Sequence, residues 1–276
     1  MKKPFELPRF DVLLLSADRH HDDPVAALGQ ANCKALTPIA GIPMLHRVLD
    51  ALVDSALVGH VSMLGPAQAA LERDNHVRAL LDVGRVSYLA PQRSPALSVS
   101  HGLAQRQRWP MLVTTADHAL LRREMVDYFL RRSAELDCDV TVAVTPLALV
   151  HAAFPDTRRT AIRLKGGPYC GSNLFAFMTP EGSKVARFWT SMEQTRKQPR
   201  FVVAKALGPL AAASYLLGKL SLERAMAKLS ATLQLRIGAV IMPFAEAAVD
   251  VDTPSDFNLV ERALQARAAS SAAAVS

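Results

Sequence analysis

The sequence predicts an α/β fold, a three-layer sandwich in which a mostly parallel β-sheet lies between helices on both faces. Two observations support this fold. Short apolar runs typical of buried strands alternate with longer runs whose apolar residues recur at helical spacing. The links between these runs are short, as they are when helices connect parallel strands. The 276 residues are enough for one large domain or two small ones.

The strands and helices are predicted from these runs in chain order. The predicted strands cover Phe10–Leu15, Val61–Leu64, Arg85–Ala90, Met111–Ala116, Asp139–Val144, Ser172–Met178, Arg236–Phe244 and Ala248–Asp252. The first long helix follows Pro43, because proline is favoured at the start of a helix. The predicted helices cover Pro43–Ala56, Ala67–Asp82, Leu97–Arg108, Arg123–Leu136, Gly182–Thr195, Lys205–Leu235 and Pro254–Arg267. Residues 1–267 are therefore expected to form one domain with a helical segment near 205–235, and residues 268–276 a disordered tail.

The charge of the chain favours anionic ligands but not nucleic acid. The net charge is +7 and the pI is near 9.6, which indicates partners such as nucleotides, phosphorylated substrates or an acidic membrane surface. There is no long basic tract, and basic residues do not alternate with aromatic ones, so nucleic acid is not an expected partner. Paired arginines such as Arg158 and Arg159 are expected on solvent-exposed helix surfaces.

The cysteines and the N-terminus indicate a reduced, cytoplasmic protein. Cys33, Cys138 and Cys170 are odd in number and lack metal-ligand spacing, which favours a reducing compartment over a disulfide framework. The apolar run near the N-terminus is too short for a signal peptide or a transmembrane span. The apolar stretch within residues 205–235 is expected to pack in the core or at an interface, with a membrane-surface contact and homo-oligomerisation left open.

The stretch LLLSADRHHDDPVA, residues 13–26, is a strand that runs into a charged loop. Ligands of parallel sheets bind beyond the carboxyl ends of the strands, so this loop is expected to hold a charged ligand. Arg19 and Lys34 supply two cations suited to a triphosphate, the arginine as a planar fork and the lysine as a point charge. The alternative is that both side chains lie on a solvated loop.

Two other predicted strands bear carboxylates. In TTADHALL, Asp117 follows the strand Met111–Ala116 and is placed to bind Mg²⁺, which prefers hard oxygen ligands; a helix cap or turn carboxylate is the alternative. In AVDVDTPSDF, Asp250 and Asp252 alternate on a predicted strand, so they are expected to point to opposite faces. Only one of them is therefore expected to reach a metal shared with Asp117.

Taken together, the motifs LSADR, CKAL, GIPML, VTTADHALL, GSNLF and VDVDTPSDF resemble in this order the MobA-like nucleotidyltransferases. This family includes molybdenum-cofactor guanylyltransferases and methylerythritol-phosphate cytidylyltransferases. The most specific part of the resemblance is Lys34 with the GIPM that follows it at residues 41–44. The resemblance covers nearly the whole chain and implies the Rossmann-like fold of nucleotide-diphospho-sugar transferases, of the GT-A type.

The resemblance also implies roles for individual residues. Arg19 and Lys34 would hold the phosphates in catalysis, Asp117 would bind the catalytic Mg²⁺, and Asp250 or Asp252 would complete the metal site. The nucleotide would lie against Leu15, Ser16, Ala17, Ser98 and Gly102, and the acceptor near Asn173. The family variant usually has glycine where this chain has Ala17, so Ala17 is expected to adopt a backbone conformation open to ordinary residues.

The implied reaction is Mg²⁺-dependent nucleotidyl transfer. A phosphate oxygen of a phosphorylated small-molecule acceptor would attack the α-phosphorus of a nucleoside triphosphate, and pyrophosphate would leave in line. CTP is the favoured donor, because SVSHGL at residues 98–103 resembles the segment that contacts the base in the cytidylyltransferases. Two alternatives stay open: a GT-A type glycosyltransferase that consumes a nucleotide sugar, and a nucleotide-binding protein with little or no turnover.

Overall fold

The strands occur largely where the sequence predicts them. The computed structural model describes residues 7–18, 23–106, 108–192 and 214–273. The strands are β1 (Phe10–Leu15), β2 (Pro38–Ile39), β3 (Ile42–Pro43), β4 (Val58–Leu64), β5 (Val86–Leu89), β6 (Met111–Thr115), β7 (Val140–Pro146), β8 (Ala161–Leu164), β9 (Gly167–Phe177) and β10 (Ile237–Ile241).

The helices follow the strands in the predicted alternation. They are α1 (Pro24–Leu28), α2 (Met44–Val53), α3 (Gln68–Leu71), α4 (Asn75–Asp82), α5 (Pro95–Gln105), α6 (Arg123–Glu135), α7 (Leu147–Ala153), α8 (Ser183–Met192), α9 (Leu222–Leu233) and α10 (Pro254–Ala273). Single 3₁₀ turns lie at Lys34–Leu36, Pro180–Gly182 and Ala245–Ala248. In α2 the apolar residues recur at helical spacing, and Leu45, Val48 and Leu52 are fully buried against the sheet core.

The main sheet is mixed and mostly parallel, as predicted. Its order is β10-β7-β9-β6-β1-β4-β5, with β8 paired to β9. The antiparallel pairings in this sheet are those that β9 makes with β6, β7 and β8. Strand β1 lies between β4 and β6, and its residues Val12, Leu13 and Leu14 are fully buried, as expected for a central parallel strand covered on both faces.

Three parallel strands end at the same level and open one edge of the sheet. Leu15 is the register partner of both Leu64 in β4 and Thr115 in β6. The backbone amide of Ser16 donates to the Leu64 carbonyl, and the amide of Ala116 donates to the Leu15 carbonyl. The segments that follow β1, β4 and β6 therefore begin side by side, which is where ligands bind in sheets of this type.

Three predicted segments of secondary structure or tail differ from the structure. The helix predicted at Ala67–Asp82 is divided into α3 and α4, because Asp74 caps α4 by accepting from the Val77 amide. The strand predicted at Ala248–Asp252 is a 3₁₀ turn followed by extended chain, whose Val251 amide bonds to the Asp117 carbonyl. The disordered tail is wrong for residues 268–273, where alanines, good helix formers, continue α10.

The helical segment predicted near 205–235 is only partly described, because residues 193–213 lie outside the described residues. Its described part contains α9, which begins at Leu222 with Ser221 as its N-cap. No helix in the described parts of the chain is both long and apolar enough to cross a membrane.

Candidate active site

A cleft of about 320 Å³ opens at the edge where β1 and β6 end. Leu15, Ser16 and Ala17 line it from the β1 side, and Asp117 lines it from the β6 side. The polar part of its wall also includes Lys34 and Asp252, together with Asp18 and Asp23. The fold thus brings together predicted residues that lie more than 200 positions apart in the sequence.

A lysine held between two carboxylates lies in this cleft. Nζ of Lys34 donates to Oδ2 of Asp117 at 3.1 Å and to Oδ1 of Asp252 at 2.7 Å. Lys34 and Asp117 are largely buried, whereas the side chain of Asp252 is half exposed. Asp117 and Asp252 therefore share Lys34 as a hydrogen-bond donor, although the strand on which Asp250 and Asp252 were expected to alternate is not formed.

Local structure fixes the position of Lys34. The residue opens the 3₁₀ turn Lys34–Leu36, and its backbone amide donates to Oδ1 of Asp18 at 2.8 Å. The next residue, Ala35, is buried in the main core and anchors the turn. Asp18 thus ties the loop after β1 to the lysine, and Asp23 orders the end of that loop by capping α1 through the amides of Val25 and Ala26.

The charges of the cleft are coupled. Burial lowers the pKa of Lys34, but the negative charges of Asp117 and Asp252 and their hydrogen bonds outweigh burial, so the pKa lies above its ordinary value. The lysine is therefore a fixed positive charge at neutral pH. Burial raises the pKa of Asp250, and the negative charges of Asp117 and Asp252 raise it further against the opposing charge of Arg159. The negative charges of Asp117, Asp250 and Asp252 therefore act on one another in this region.

The donor set fits a magnesium ion. Oδ1 of Asp117 is buried and has no hydrogen-bond partner among the described residues, so the carboxylate retains an unused acceptor. Mg²⁺ is commonly bound by one or two carboxylates, with substrate phosphates and water as its other ligands. Asp117 and Asp252 supply two, and no group of three or more His, Cys, Asp or Glu side chains in the described chain forms a closed metal cage.

Asp250 has different partners, which the sequence did not reveal. Its Oδ1 accepts from Nη1 of Arg159 at 2.6 Å, and its Oδ2 accepts from the side-chain Nδ2 of Asn173 at 3.2 Å. Arg159 also donates to the Asp250 carbonyl and to Asp256. The expectation that Arg159 lies on an exposed helix surface is wrong: its side chain is 8% exposed and its partners come from distant segments. Arg159 directly follows the exposed Arg158, and nothing in the sequence around this pair indicated that Arg159 is buried.

The loop after β1 is shaped by contacts with Gly65. The Ser16 hydroxyl lies within hydrogen-bond distance of the carbonyls of Leu64 and Gly65, which share its single proton. A Cβ on Gly65 would lie 2.7 Å from Cα of Ala17, and Gly65 has a φ of +89°, so only glycine fits there without strain. Ala17 has a negative φ, as predicted. Arg19 lies outside the described residues, so its predicted phosphate contact stays a prediction.

The structure does not bring Ser98 and Gly102 into the lining of the cleft. Ser98 is buried and accepts from the Gln92 amide at 2.8 Å, so it orders the loop before α5. A Cβ on Gly102 would lie 2.8 Å from Leu13, which shows that this glycine lets α5 pack closely on β1. Among the described residues Pro95 is the part of α5 that lines the cleft.

His118, next to Asp117, is a buried structural residue. Its Nε2 lies 3.2 Å from the Glu246 carbonyl, and because a carbonyl can only accept, Nε2 carries the proton. Burial lowers the pKa of His118, so the ring is neutral. The ring therefore fixes the loop that carries Asp117 to the segment before Asp250.

Known structures share this fold. A hypothetical transferase from Thermus thermophilus is 26% identical, with a TM-score of 0.74, over 90% of this chain and 99% of that one. A 4-diphosphocytidyl-2C-methyl-D-erythritol synthase from Anaerococcus prevotii is 11% identical, with a TM-score of 0.54. The match covers 93% of this chain and 96% of that one. A CMP-2-keto-3-deoxy-manno-octonic acid synthetase complexed with CTP is 14% identical, with a TM-score of 0.55. The match covers 94% of this chain and 99% of that one.

The sequence comparisons show the family. A curated relative, the 20-oxo-5-O-mycaminosyltylactone 23-monooxygenase of Streptomyces fradiae, is 33% identical over 129 residues; the match spans 42% of this chain but only 30% of that protein. The model of the MobA-like NTP transferase domain matches residues 27–232, most of the chain, including the Lys34 turn and Asp117. This match covers most of the chain and agrees with the α/β fold described above, so the chain belongs to the MobA-like NTP transferase domain family.

Proposed function

We propose that the protein transfers a nucleoside monophosphate from a nucleoside triphosphate, with CTP as the favoured donor, to a phosphorylated small molecule, and that it requires Mg²⁺. The observation that carries the proposal is the contact of Lys34 with Asp117 and Asp252 at the ends of β1 and β6. This arrangement combines a cation for phosphate oxygens with carboxylates for a metal. Both are what a displacement at phosphorus needs, because catalysis there is mainly positioning and charge neutralisation.

We assign roles in this reaction to Asp117, Asp252, Lys34 and Arg19. Asp117 and Asp252 would hold the Mg²⁺, which when bound neutralises phosphate charge. Lys34 holds these carboxylates together in the structure described here, and its flexible stem lets the ammonium turn to phosphate oxygens once the carboxylates have another cation. Arg19, on the same loop as Ala17, would add a second positive charge. No protein nucleophile is required.

The acceptor side is assigned to the network around Asp250. Asn173 has a φ of +48° and donates to Asp250, which Arg159 fixes from the other side. These contacts order Asn173 and Asp250. Asp250 lies close to the cleft, because the charges of Asp117 and Asp252 raise its pKa. We place the acceptor beside Asn173, with Arg159 and Asp250 positioning it.

Two arguments favour CTP. The segment SVSHGL resembles the base-contacting segment of cytidylyltransferases, and solved proteins of the same fold include a synthetase complexed with CTP. The Ser98 hydroxyl accepts from the Gln92 amide, so Ser98 would influence base binding by ordering the loop that carries Gln92.

We also propose a cytoplasmic setting for the reaction, because three cysteines far apart in the sequence suit a reducing compartment. Cys33, Cys138 and Cys170 are free thiols, and burial raises the pKa of Cys33 to about 11. Its thiol is therefore protonated and unreactive at neutral pH.

The test is pyrophosphate release from the four triphosphates, with Mg²⁺ and a panel of sugar phosphates and polyol phosphates. We expect release that requires an acceptor, is fastest with CTP and stops when EDTA removes the metal. A glycosyltransferase would instead release nucleoside diphosphate from a nucleotide sugar. Triphosphate binding without release under any condition would show a binding protein and contradict the proposal.

A further inference from the structure

Asp252, which contacts Lys34 in the cleft, lies in the short segment that leads into α10, and backbone contacts hold this segment on both sides. The Val251 amide donates to the Asp117 carbonyl at 3.0 Å, and Val251 is fully buried. The Asp252 amide donates to Oδ2 of Asp256 at 3.2 Å. The backbone of Asp252 is therefore tied to the loop that carries Asp117 on one side and to the first turn of α10 on the other.

The carboxylate of Asp256 also forms a reciprocal cap at the start of α10. Its Oδ2 accepts from the Thr253 amide at 2.9 Å and from the Thr253 hydroxyl at 2.7 Å, and Oγ1 of Thr253 accepts from the Asp256 amide at 3.2 Å. A threonine followed three residues later by an acidic side chain is typical of a capping box. A capping box serves the helix, whereas Oδ2 of Asp256 also accepts from the amide of Asp252, which lies before the cap.

An arginine fixes the other oxygen of Asp256. Nη2 of Arg159 donates to Oδ1 of Asp256 at 2.8 Å, and Nη1 donates to the carbonyl of Asp250 at 3.0 Å. The side chains of Arg159 and Asp256 are both largely buried. One planar guanidinium therefore binds both ends of the segment that contains Asp252 and restricts its rotation. A helix cap needs no such partner, so this contact favours a role for Asp256 beyond the stability of α10.

The backbone contacts of Asp252 matter because its side chain is half exposed. Packing confines a half-exposed side chain weakly, so the direction of its Cα–Cβ bond depends on how the backbone is held. Oδ1 of Asp252 lies 2.7 Å from Nζ of Lys34, which also contacts Asp117. Asp252 is part of the described lining of the cleft and Asp256 is not, so Asp256 can act there through Asp252.

We propose that Asp256, fixed by Arg159, is a positioning residue that holds the Asp252 carboxylate at the cleft so that Asp252 and Asp117 bind one metal ion. The inference rests on the part of the proposed function that assigns Mg²⁺ to these two carboxylates. Groups that orient a metal ligand matter nearly as much as the ligand, because a ligand held loosely loses affinity for the ion.

The test is titration of the full-length protein with Mn²⁺ alone, which prefers the same oxygen ligands as Mg²⁺ and whose free form is measured by electron paramagnetic resonance. We expect Asp256→Ala to weaken Mn²⁺ binding by roughly tenfold or more. Asp256→Glu should restore most of the affinity, because glutamate is common at this position of a capping box.

The matched control is Ser221→Ala, which removes the cap of another helix. Ser221 caps α9 by accepting from the Arg224 amide at 3.3 Å and lies outside the described lining of the cleft. This variant should leave Mn²⁺ binding unchanged. Thermal unfolding shows whether each variant is folded at the titration temperature. Should Asp256→Ala be unfolded, Asp256→Asn takes its place and should weaken binding in the same direction, since its one acceptor oxygen cannot replace both Oδ1 and Oδ2.

A double-mutant cycle separates positioning from a general loss of stability. If Asp256 acts through Asp252, Asp256→Ala should add little to the loss of Mn²⁺ affinity already caused by Asp252→Asn. Unchanged affinity in folded Asp256→Ala, full additivity in the double variant, or no Mn²⁺ binding by the wild type would each overturn the inference.

The inference and the proposed function fail in different measurements. Acceptor-dependent pyrophosphate release by the wild type, with unchanged Mn²⁺ affinity in Asp256→Ala, would retain nucleotidyl transfer and overturn the positioning role. Mn²⁺ binding that depends on both Asp252 and Asp256, without pyrophosphate release from any triphosphate, would support the positioning role and contradict the proposed function.

Discussion

The carboxylate of Asp250 is held by Arg159, with Oδ1 2.6 Å from Nη1 of an arginine whose side chain is 8% exposed. Asp252, two residues on, contacts Lys34 in the cleft instead. We therefore expect the two aspartates to have separable roles, Asp250 in structure or acceptor positioning and Asp252 beside Lys34 in the cleft.

We expect Asp250→Ala mainly to lower stability and Asp252→Asn mainly to lower turnover. Asp250→Ala leaves a buried arginine with Asp256 as its remaining carboxylate, so it should lower the free energy of unfolding by about 3 kcal/mol. Asp252→Asn, at a half-exposed site, should change stability by less than about 0.5 kcal/mol but abolish Mg²⁺-dependent turnover. Urea unfolding and pyrophosphate release measure both. Equal, mild effects would remove Asp252 from the metal site.

Asp117→Asn should abolish turnover and leave the fold intact. The change removes a charged metal ligand, whereas the backbone carbonyl of Asp117 that accepts from Val251 is retained. Circular dichroism and pyrophosphate release provide the measurements. Asp82→Asn, at the exposed end of α4, is the control and should behave as the wild type. Full activity in Asp117→Asn would exclude this residue from the site.

Lys34→Ala should reduce catalysis more than binding. A contact that strengthens as charge develops on the phosphates lowers turnover when removed, and we expect a loss of roughly 10²-fold or more in kcat with a smaller change in triphosphate Kd. Lys228→Ala, which removes an exposed lysine from α9, is the control. If Lys34→Ala matched the wild type in both measurements, its phosphate role would be wrong.

Gly65→Ala should destabilise the protein and weaken triphosphate binding. The substituted residue must adopt a φ of +89° and would place its Cβ 2.7 Å from Cα of Ala17. Gly84→Ala is a matched control, because Gly84 has a φ of +68° but a Cβ there would meet nothing within 4 Å. The backbone strain, of order 1–3 kcal/mol, is common to both variants. Only Gly65→Ala should alter binding, and equal binding in the two variants would show that the Ala17 contact does not shape the cleft.

Substitutions at Ala17 test how closely the nucleotide approaches the loop. Ala17→Gly should bind triphosphate at least as well as the wild type, at a stability cost of roughly 0.4–1 kcal/mol from added unfolded-state freedom. Ala17→Val should weaken binding, because Ala17 lines the cleft. Titration of CTP against both variants is the measurement. Equal affinity of the valine variant would mean that no nucleotide lies against Ala17.

Asp74 should make stability depend on pH. Burial raises the pKa of Asp74, but the Val77 amide, the hydrogen bond of His46 and the charges of His46 and His76 outweigh burial and lower it overall. Since the folded-state pKa is depressed, the stabilisation is present above the unfolded pKa of about 3.9 and is lost as pH falls through the folded value. Asp74→Ala, which also removes the cap of α4, should cost about 1 kcal/mol at pH 7 and less at acid pH. A constant difference down to pH 2 would contradict this linkage.

The sequence by itself determined the sheet and the polar residues at its edge. Strand β1 occurs at the predicted residues, because a run of apolar residues can be buried on both faces only in a central strand. Lys34 and Asp117 were predicted because polar groups that follow such strands lie at the carboxyl edge of the sheet. Both line the cleft there.

Only the tertiary structure decided which distant residues share partners. Asp250 and Asp252 are equivalent in the local pattern, and their separation depends on Arg159, which approaches from a segment 91 residues away. Ser98 and Gly102 matched a motif, yet the packing of α5 on β1 turns them away from the lining of the cleft. Local periodicity records which face of an element is buried, whereas ion pairs between segments depend on how the elements pack, and no local pattern encodes that.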